Sequence, residues 1–327
     1  MRWHQRLLHL LSDRQFRSGA ELGKQLGIGC AAVHEHLAEL KASGLPVDDV
    51  SGLGYRLARG VEPLDCDSVF RHMDRASRQM ITKFLVEQSV DSTNNVLGRL
   101  HRNQSVHGAV CIAEAQAGGR GRRENPWVAS AYRNLLMSMA WVFDTWPPDL
   151  SGISIAVAVT LIDVMKGLGI DGLGMKWPND IVFEGKKLGG ILIEISGERS
   201  GACTLIIGVG LNVNITECDA PAITQPWTDL VKVSGRNLDR NELAGVCISC
   251  LCKLLVEYPR TGFSPYQKRW PEIDVLAGQH VTIINHGAGE LTHGKVLRVD
   301  NAGALILTED GNGEKAFYSG DVSVRKR

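Results

Sequence analysis

Residues 151–169 set the tightest limit on how this chain can fold. Ile153, Ile155, Val157, Val159, Leu161, Ile162, Val164 and Met165 place apolar side chains on nearly every side of a helix. A helix with no polar face has to be covered all round, so it is expected as scaffold beneath a sheet in a layered α and β core. No apolar stretch approaches the roughly 20 residues that cross a bilayer. Met1-Arg2-Trp3-His4 leads into an amphipathic helix and not a signal peptide, so the expected place of work is the cytoplasm, with no membrane partner.

A second feature points to chemistry. Gly118-Gly119-Arg120-Gly121-Arg122-Arg123, closed by Trp127, crowds glycines and three guanidinium groups into one loop. Glycines permit positive φ and close approach of backbone N–H groups to an anion, and each arginine offers a planar fork of donors. The bland alternative is a solvated basic loop, but interleaved glycines ask for a backbone reason. The loop is neither of the common nucleotide motifs. No Gly-x-x-x-x-Gly-Lys-Ser/Thr occurs, and the third glycine of a dinucleotide fingerprint is missing.

About sixty residues later, Lys176-Trp177-Pro178-Asn179-Asp180 leads into Ile181-Val182-Phe183, a turn at Glu184-Gly185-Lys186, and Lys187-Leu188-Gly189-Gly190-Ile191-Leu192-Ile193-Glu194-Ile195. Branched apolar runs around a glycine turn predict an antiparallel hairpin.

The flanks differ from this middle. Residues 1–60 show three short helical patterns: Leu7, Leu8, Leu10 and Leu11; a helix capped by Ser18 carrying Leu22 and Leu26; and Val33, Leu37 and Leu40, ending near Gly44. Strands around Ser51-Gly52 complete a winged helix-turn-helix pattern. Its third helix should turn Ala31, His34, Glu35 and Ala38 outward. The segment carries eight basic and six acidic residues, a net +2, within a chain of balanced charge, so any DNA contact has to be local. Arg59–Pro63 reads as a linker. From about Ile273, short strands (281–284, 295–299, 304–307) and a turn at His286-Gly287-Ala288-Gly289 predict a small barrel with no catalytic constellation. The eight cysteines are scattered; Cys247 and Cys250 have metal-pair spacing but lie on a helical apolar stripe, which favours buried thiols.

Taken in order, Asp91-Ser92-Thr93-Asn94, Gln116 with Gly119–Arg123, Lys176–Asp180, Lys187–Ile191 and Gly208-Val209-Gly210-Leu211-Asn212 resemble the biotin protein ligases, specifically the bifunctional bacterial enzymes that also repress biotin synthesis genes. The resemblance runs nearly end to end. It implies an α+β fold: a winged helix-turn-helix at 1–60, a ligase domain with a mixed sheet at 61–272, and an SH3-like barrel at 273–327.

It further implies that ATP and biotin are joined as biotinyl-AMP, with Mg²⁺, and that biotin passes to a lysine of the biotin carboxyl carrier protein of acetyl-CoA carboxylase. Ser92, Thr93, Asn94, Gln116, Arg120, Gly121, Arg122 and Lys187 would bind biotin; Arg122, Arg123, Trp127, Lys176, Asn179 and Asn212 the nucleotide; Asp180 the metal. Lys187, Arg122 and Arg120 would be catalytic. Ala31, Ala32, His34 and Glu35 would read an operator from a liganded homodimer, although similar repressors carry serine and a cation where this chain has Cys30 and Ala31. A glycine is also usual where this chain has Glu124, whose carboxylate is expected to point into solvent or pair with Arg123. Three other readings stay open here: a ligase with a non-regulatory winged helix, a regulator that only senses biotin, and a lipoyl or octanoyl ligase, whose substrates lack a ureido head.

Overall fold

The computed structural model describes residues 3–58, 61–147, 150–198, 201–215, 223–286, 289–309, 313–320 and 322–326. Helices α1 (Trp3–Leu11), α2 (Gly19–Leu26) and α3 (Cys30–Ala42) are followed by the hairpin β1 (Val47–Val50) and β2 (Gly54–Leu57). Ser18 and Glu21 close a reciprocal capping box at the start of α2, and Gly27 ends it at φ 72. Leu7, Leu11, Leu22, Val33, Leu37 and Leu40 meet in one core, which leaves Ala31, His34, Glu35 and Ala38 exposed. Ala32 is half-buried, so it has less to offer a groove than its neighbours.

The core of this first unit is completed from outside it. Tyr132, 2% exposed, is part of the cluster, and Ala131 packs against it. Of the expected linker, Arg59 and Gly60 lie outside the described residues. Val61 is buried in the winged-helix core, and the carbonyl of Glu62 accepts from Arg240 at 2.6 Å. Arg240 also pairs at 2.7 Å with the fully buried Glu114, whose other oxygen accepts from the Leu64 N–H. The linker is therefore fastened to the middle of the protein. A buried pair like this is costly to break, because removing one partner strands the other charge.

The middle unit runs α4 (Cys66–Arg71), α5 (Arg75–Met80), β3 (Lys83–Val90), α6 (Thr93–His101), β4 (Ala109–Gln116), β5 (Asn134–Phe143), α7 (Ile153–Gly167), β6 (Gly174–Lys176), β7 (Asp180–Phe183), β8 (Lys186–Gly197), β9 (Cys203–Asn212), α8 (Leu230–Ser234), α9 (Arg240–Thr261) and α10 (Ser264–Ile273). Its seven strands lie in the order β3-β4-β5-β9-β8-β7-β6, parallel only between β3 and β4, which makes the sheet mixed. Strand alternation sorts the side chains. Leu135, Met137, Leu205, Ile207 and Val209 face α7 and α9 in the main core, whereas Ala140 and Ile206 face α6 in a smaller one.

Contrary to the expectation from sequence, one stretch does meet the length and composition of a membrane-crossing helix. It is Leu150–Gly167, with mean hydropathy 1.6, and it is 67% buried inside the protein as the scaffold helix beneath the sheet. Cys247 and Cys252 are buried on α9, where the loss of hydration pushes both thiols up.

The last unit is an all-antiparallel sheet of β10 (His280–Asn285), β11 (Glu290–Val299), β12 (Leu305–Glu309), β13 (Gly313–Phe317) and β14 (Val322–Lys326), in the order β13-β12-β11-β10-β14. This fits the expected small barrel and adds two strands that the sequence reading did not mark. Gly287 and Ala288 of the expected turn lie outside the described residues. Val281, Ile283, Val296 and Val324 join the main core, and Trp177 Nε1 donates to the Gly303 carbonyl at 3.1 Å. The barrel is thus packed onto the ligase sheet.

Candidate active site

The site lies on the α6 face of the sheet, toward one end of β5, β9 and β8. Register puts Ser138, Gly208 and Leu192 in one row and Leu136, Gly210 and Gly190 in the next. Glycine is required at two of these places by what comes down on them. A Cβ on Gly210 would stand 2.7 Å from the Trp127 indole, and one on Gly208 would collide with Asn94 Oδ1. Strand β8 has a register shift against β7, with Asp180 opposite Gly190 but Val182 opposite Lys187. The extra residue changes the parity of the strand, so Lys187 shares a face with Gly190 while Leu188 and Ile191 both enter the core.

A half-open cavity, about 460 Å³ with the solvent space at its mouth, stands over these rows. At one end are Ser92, Thr93, Asn94 and Gln116. Gln116 Oε1 accepts from the Thr93 N–H at 2.8 Å and from its hydroxyl at 3.0 Å, and the Ser138 hydroxyl lies 2.6 Å from both Thr93 Oγ1 and Asn94 Oδ1. Asn94 Nδ2 donates to Glu194 at 2.7 Å, so its amide is held at both ends. The middle is apolar, walled by the side chains of Trp127, Leu136 and Leu192, while Met137, Ile191 and Val209 border it from strands whose side chains there turn to the main core. At the far end Lys187 Nζ lies 2.8 Å from Asp180 Oδ1 and 5.4 Å from the centre of the Trp127 ring.

The arginine loop borders this cavity through Arg120, Gly121 and Trp127. Trp127 N–H donates to the Gly119 carbonyl at 2.8 Å and Gly121 N–H to the Asn125 carbonyl at 2.7 Å, which folds the loop back on itself. The left-handed residues of the loop are Arg123 (φ 55) and Glu124 (φ 56), and none of its glycines has a positive φ; this corrects the expectation. Gly119 is needed for space, since a Cβ there would lie 2.9 Å from Gln116 Nε2 and from the Trp127 carbonyl. Glu124 is exposed but pairs with Arg120, at 2.8 Å, and not with Arg123. Arg120 also donates to Asn95 at 2.6 Å and Glu194 at 3.2 Å. Its Nε and Trp127 Nε1 are buried with no protein acceptor among the described residues, two stranded donors at one cavity. Asp91 serves as a bracket. Its carbonyl accepts from Gly118 N–H at 2.8 Å, and its carboxyl is held well below the usual carboxylate range, chiefly by the Arg99 guanidinium.

A second and larger cavity, about 1700 Å³ of open space, adjoins the Lys187 end. Arg122, Arg123, Lys176, Lys187 and Arg325 line it, and Asp180 is the one carboxylate among the described lining residues, an excess of positive charge suited to a polyanion. The barrel contributes His286, Ser323 and Arg325, and its Gly320 and Val322 carbonyls accept from Arg122 at 3.0 and 3.2 Å. The barrel carries no motif of its own in the sequence, and its residues line this cavity all the same. No sequence motif marked these residues, since only the docking of the barrel brings them near. Asn179 Nδ2 donates to the Ile191 carbonyl at 2.9 Å. Asn212 lines the wall, where its Oδ1 accepts from Asn134 at 3.0 Å and its Nδ2 donates to the Thr228 carbonyl at 3.0 Å, so its amide is braced at both ends.

Fold and site together define a class: a helix-turn-helix protein fused to an enzyme that accepts a long polar-headed acid beside a polyanion. Residues 86–212 match the biotin/lipoate A/B protein ligase family, residues 2–56 a helix-turn-helix domain, and residues 277–325 the biotin protein ligase C-terminal domain. The chain is 34% identical to the bifunctional ligase/repressor BirA of Escherichia coli, covering 98% of this chain and 96% of that one, and equally similar to the Salmonella typhimurium protein of that name. A biotin–[acetyl-CoA-carboxylase] ligase of Mycobacterium tuberculosis is 32% identical over 73% of this chain and 87% of its own length. Among solved structures, the biotin protein ligase of Aquifex aeolicus in complex with biotin and ATP shares the fold, with TM-score 0.63 and 24% identity over 76% of this chain and all of that one. The chain belongs to the biotin protein ligase family, in its bifunctional ligase/repressor branch.

Proposed function

We infer that the protein activates biotin with ATP and transfers it to a lysine of the biotin carboxyl carrier protein of acetyl-CoA carboxylase, in the cytoplasm, and that it represses biotin synthesis genes. The observation that carries the ligase reading is the polarity of the first cavity: hydrogen-bonding groups at one end, an apolar middle, and Lys187 at the other. A ureido head, a thioether ring with its aliphatic chain, and a carboxylate follow the same order. We assign residues 1–60, 61–272 and 273–327 to DNA binding, catalysis and closure of the nucleotide site.

In the first step a biotin carboxylate oxygen forms a bond to the α-phosphorus of ATP and the bond to the pyrophosphate oxygen breaks. Negative charge builds on the phosphoryl oxygens and the leaving group. Lys187 stands where the two cavities meet, so its ammonium faces both the carboxylate and the α-phosphate. Arg122, Arg123, Lys176 and Arg325 take the phosphate charge in a site where preorganised cations need little rearrangement. Mg²⁺ would arrive on the ATP phosphates with Asp180 as its protein carboxylate; one carboxylate plus phosphates suits that ion, and Lys187 would exchange Asp180 for substrate. Arg120 and the stranded donors of the arginine loop close over the chain and exclude water. In the second step the lysine amine attacks the acyl carbon and AMP leaves, helped mainly by proximity.

On the DNA side, Ala31, His34 and Glu35 offer few phosphate contacts. Operator binding therefore depends on a homodimer that forms when the arginine loop is ordered by ligand. Pyrophosphate exchange into ATP with biotin, lipoate or octanoate tests the substrate. Exchange with biotin alone is expected, and equal exchange with lipoate would overturn the assignment of the polar end. Footprinting of DNA upstream of biotin synthesis genes, with and without biotin and ATP, tests the repressor. Absence of protection in both conditions would leave a ligase with a non-regulatory winged helix.

A further inference from the structure

A cluster of metal-ligating groups lies in the winged helix, away from the active site. His4 on α1 and His36 and Glu39 on α3 turn their ligand atoms toward one point, all within 4.8 Å of one another. Glu39 Oε2 is 2.8 Å from His4 Nε2 and 3.4 Å from His36 Nδ1, and the two imidazoles meet edge to face with centroids 5.2 Å apart. Around four-coordinate zinc, with bonds of about 2.0–2.2 Å, ligand atoms stand about 3.4 Å apart, so gathering these three needs movement of about an ångström. The histidines are only part-exposed, and both helices are fixed by Leu7, Leu11, Leu37 and Leu40 beneath them. The donors are therefore held in place by a packed core and not by loop chemistry.

We propose that His4, His36 and Glu39 form a binding site for a divalent cation of the zinc class that ties α1 to α3. Two imidazoles and one carboxylate are the donor set that suits zinc, cobalt and nickel, and they suit magnesium and calcium poorly. Water completes the shell, because the carboxylate side of the site is open to solvent. His36 is two residues from His34, about 200° around the helix, so an ion here leaves the operator-facing side of α3 uncovered. Its effect is to brace that helix against α1. The competing ligand pair in the same unit is Cys30 and His34, with Sγ 3.5 Å from Nε2.

The test uses the full chain, stripped with chelator and kept reduced, with Zn²⁺ titrated against a chromophoric competitor and Co²⁺ as an optical probe. One tight equivalent is expected in the parent and in Cys30→Ser, with a Co²⁺ spectrum free of thiolate charge transfer. Affinity should fall at least 100-fold in His36→Gln and in His4→Gln. Saturating zinc should raise the melting temperature of the winged helix by about 5 °C in the parent and leave both histidine variants unmoved. Melting in chelator checks that the variants are folded. Unchanged affinity in the two histidine variants, no tight equivalent in the parent, or binding lost only in Cys30→Ser would each overturn the proposal.

Discussion

Tyr132 is the aromatic anchor among the contacts through which the winged helix holds onto the ligase domain. Its ring is buried in the N-terminal core although it stands between Trp127, on the cavity, and Asn134, at the start of β5. It holds this place at φ 63, a left-handed conformation that disfavours a side chain, with its hydroxyl donating to Gln88 at 2.7 Å. Replacing it by glycine removes an aromatic anchor worth about 3–5 kcal/mol. Release of the left-handed strain returns about 1–2 kcal/mol, and the added freedom of glycine in the unfolded chain takes back about 1 kcal/mol. The net loss for Tyr132→Gly is then about 2–5 kcal/mol, and it falls on the winged helix and its docking because the other contacts of the ligase core are untouched. For a unit of that size, at about 4–8 °C per kcal/mol, this lowers its melting by roughly 10–40 °C. Calorimetry of the full chain should show an early transition split from the main one, while biotin-dependent pyrophosphate exchange below that transition stays within about threefold of the parent. Tyr132→Phe, which loses only a bond to the half-buried Gln88, should shift the transition by the equivalent of about 1 kcal/mol. A glycine variant that melts in one step at the parental temperature would refute the anchoring argument.

Lys187→Met keeps the stem and removes the charge, so biotinyl-adenylate formation should be lost with the fold intact by circular dichroism; exchange near the parental rate would remove Lys187 from catalysis. Arg122→Gly severs the link from the arginine loop to barrel carbonyls, and the adenylate should escape to label an unrelated lysine-rich protein on a streptavidin blot; parental labelling with adenylation intact would argue against a clamp. Glu124→Gly relieves a left-handed residue and frees Arg120 from a carboxylate, so the KM for biotin should fall, by two- to fivefold on the scale of about 0–1 kcal/mol for an exposed pair; an unchanged KM would show that the pair does not compete with substrate. Burial pushes the thiols of Cys111 and Cys252 up to about 12, so at pH 8 they remain protonated and should react with an aromatic disulfide only after unfolding, while the exposed Cys30 reacts at once.

Much of the architecture was legible along the chain because it is local. Ser18, Glu21 and Gly27 bound a helix by their own side-chain chemistry, the stripe of Val33, Leu37 and Leu40 committed one face of α3 to a core, and the all-apolar helix at 153–167 required cover. The order of motifs resembling the biotin ligases named the family before any coordinate was needed. What the chain could not declare were relations between segments distant in sequence. The extra residue in β8 sets which face Lys187 takes, and it exists only against β7. Glycine at 208 and 210 has a reason only once Asn94 and Trp127 come down on them. Arg325 and Ser323 reach the polyanion site because the barrel packs on the ligase sheet, and Tyr132 joins a core made almost wholly by residues at least seventy positions away. Local hydrogen bonds and periodicity are set by neighbours a few residues apart, whereas burial and charge are shared among whatever the fold brings together, and only tertiary packing decides that.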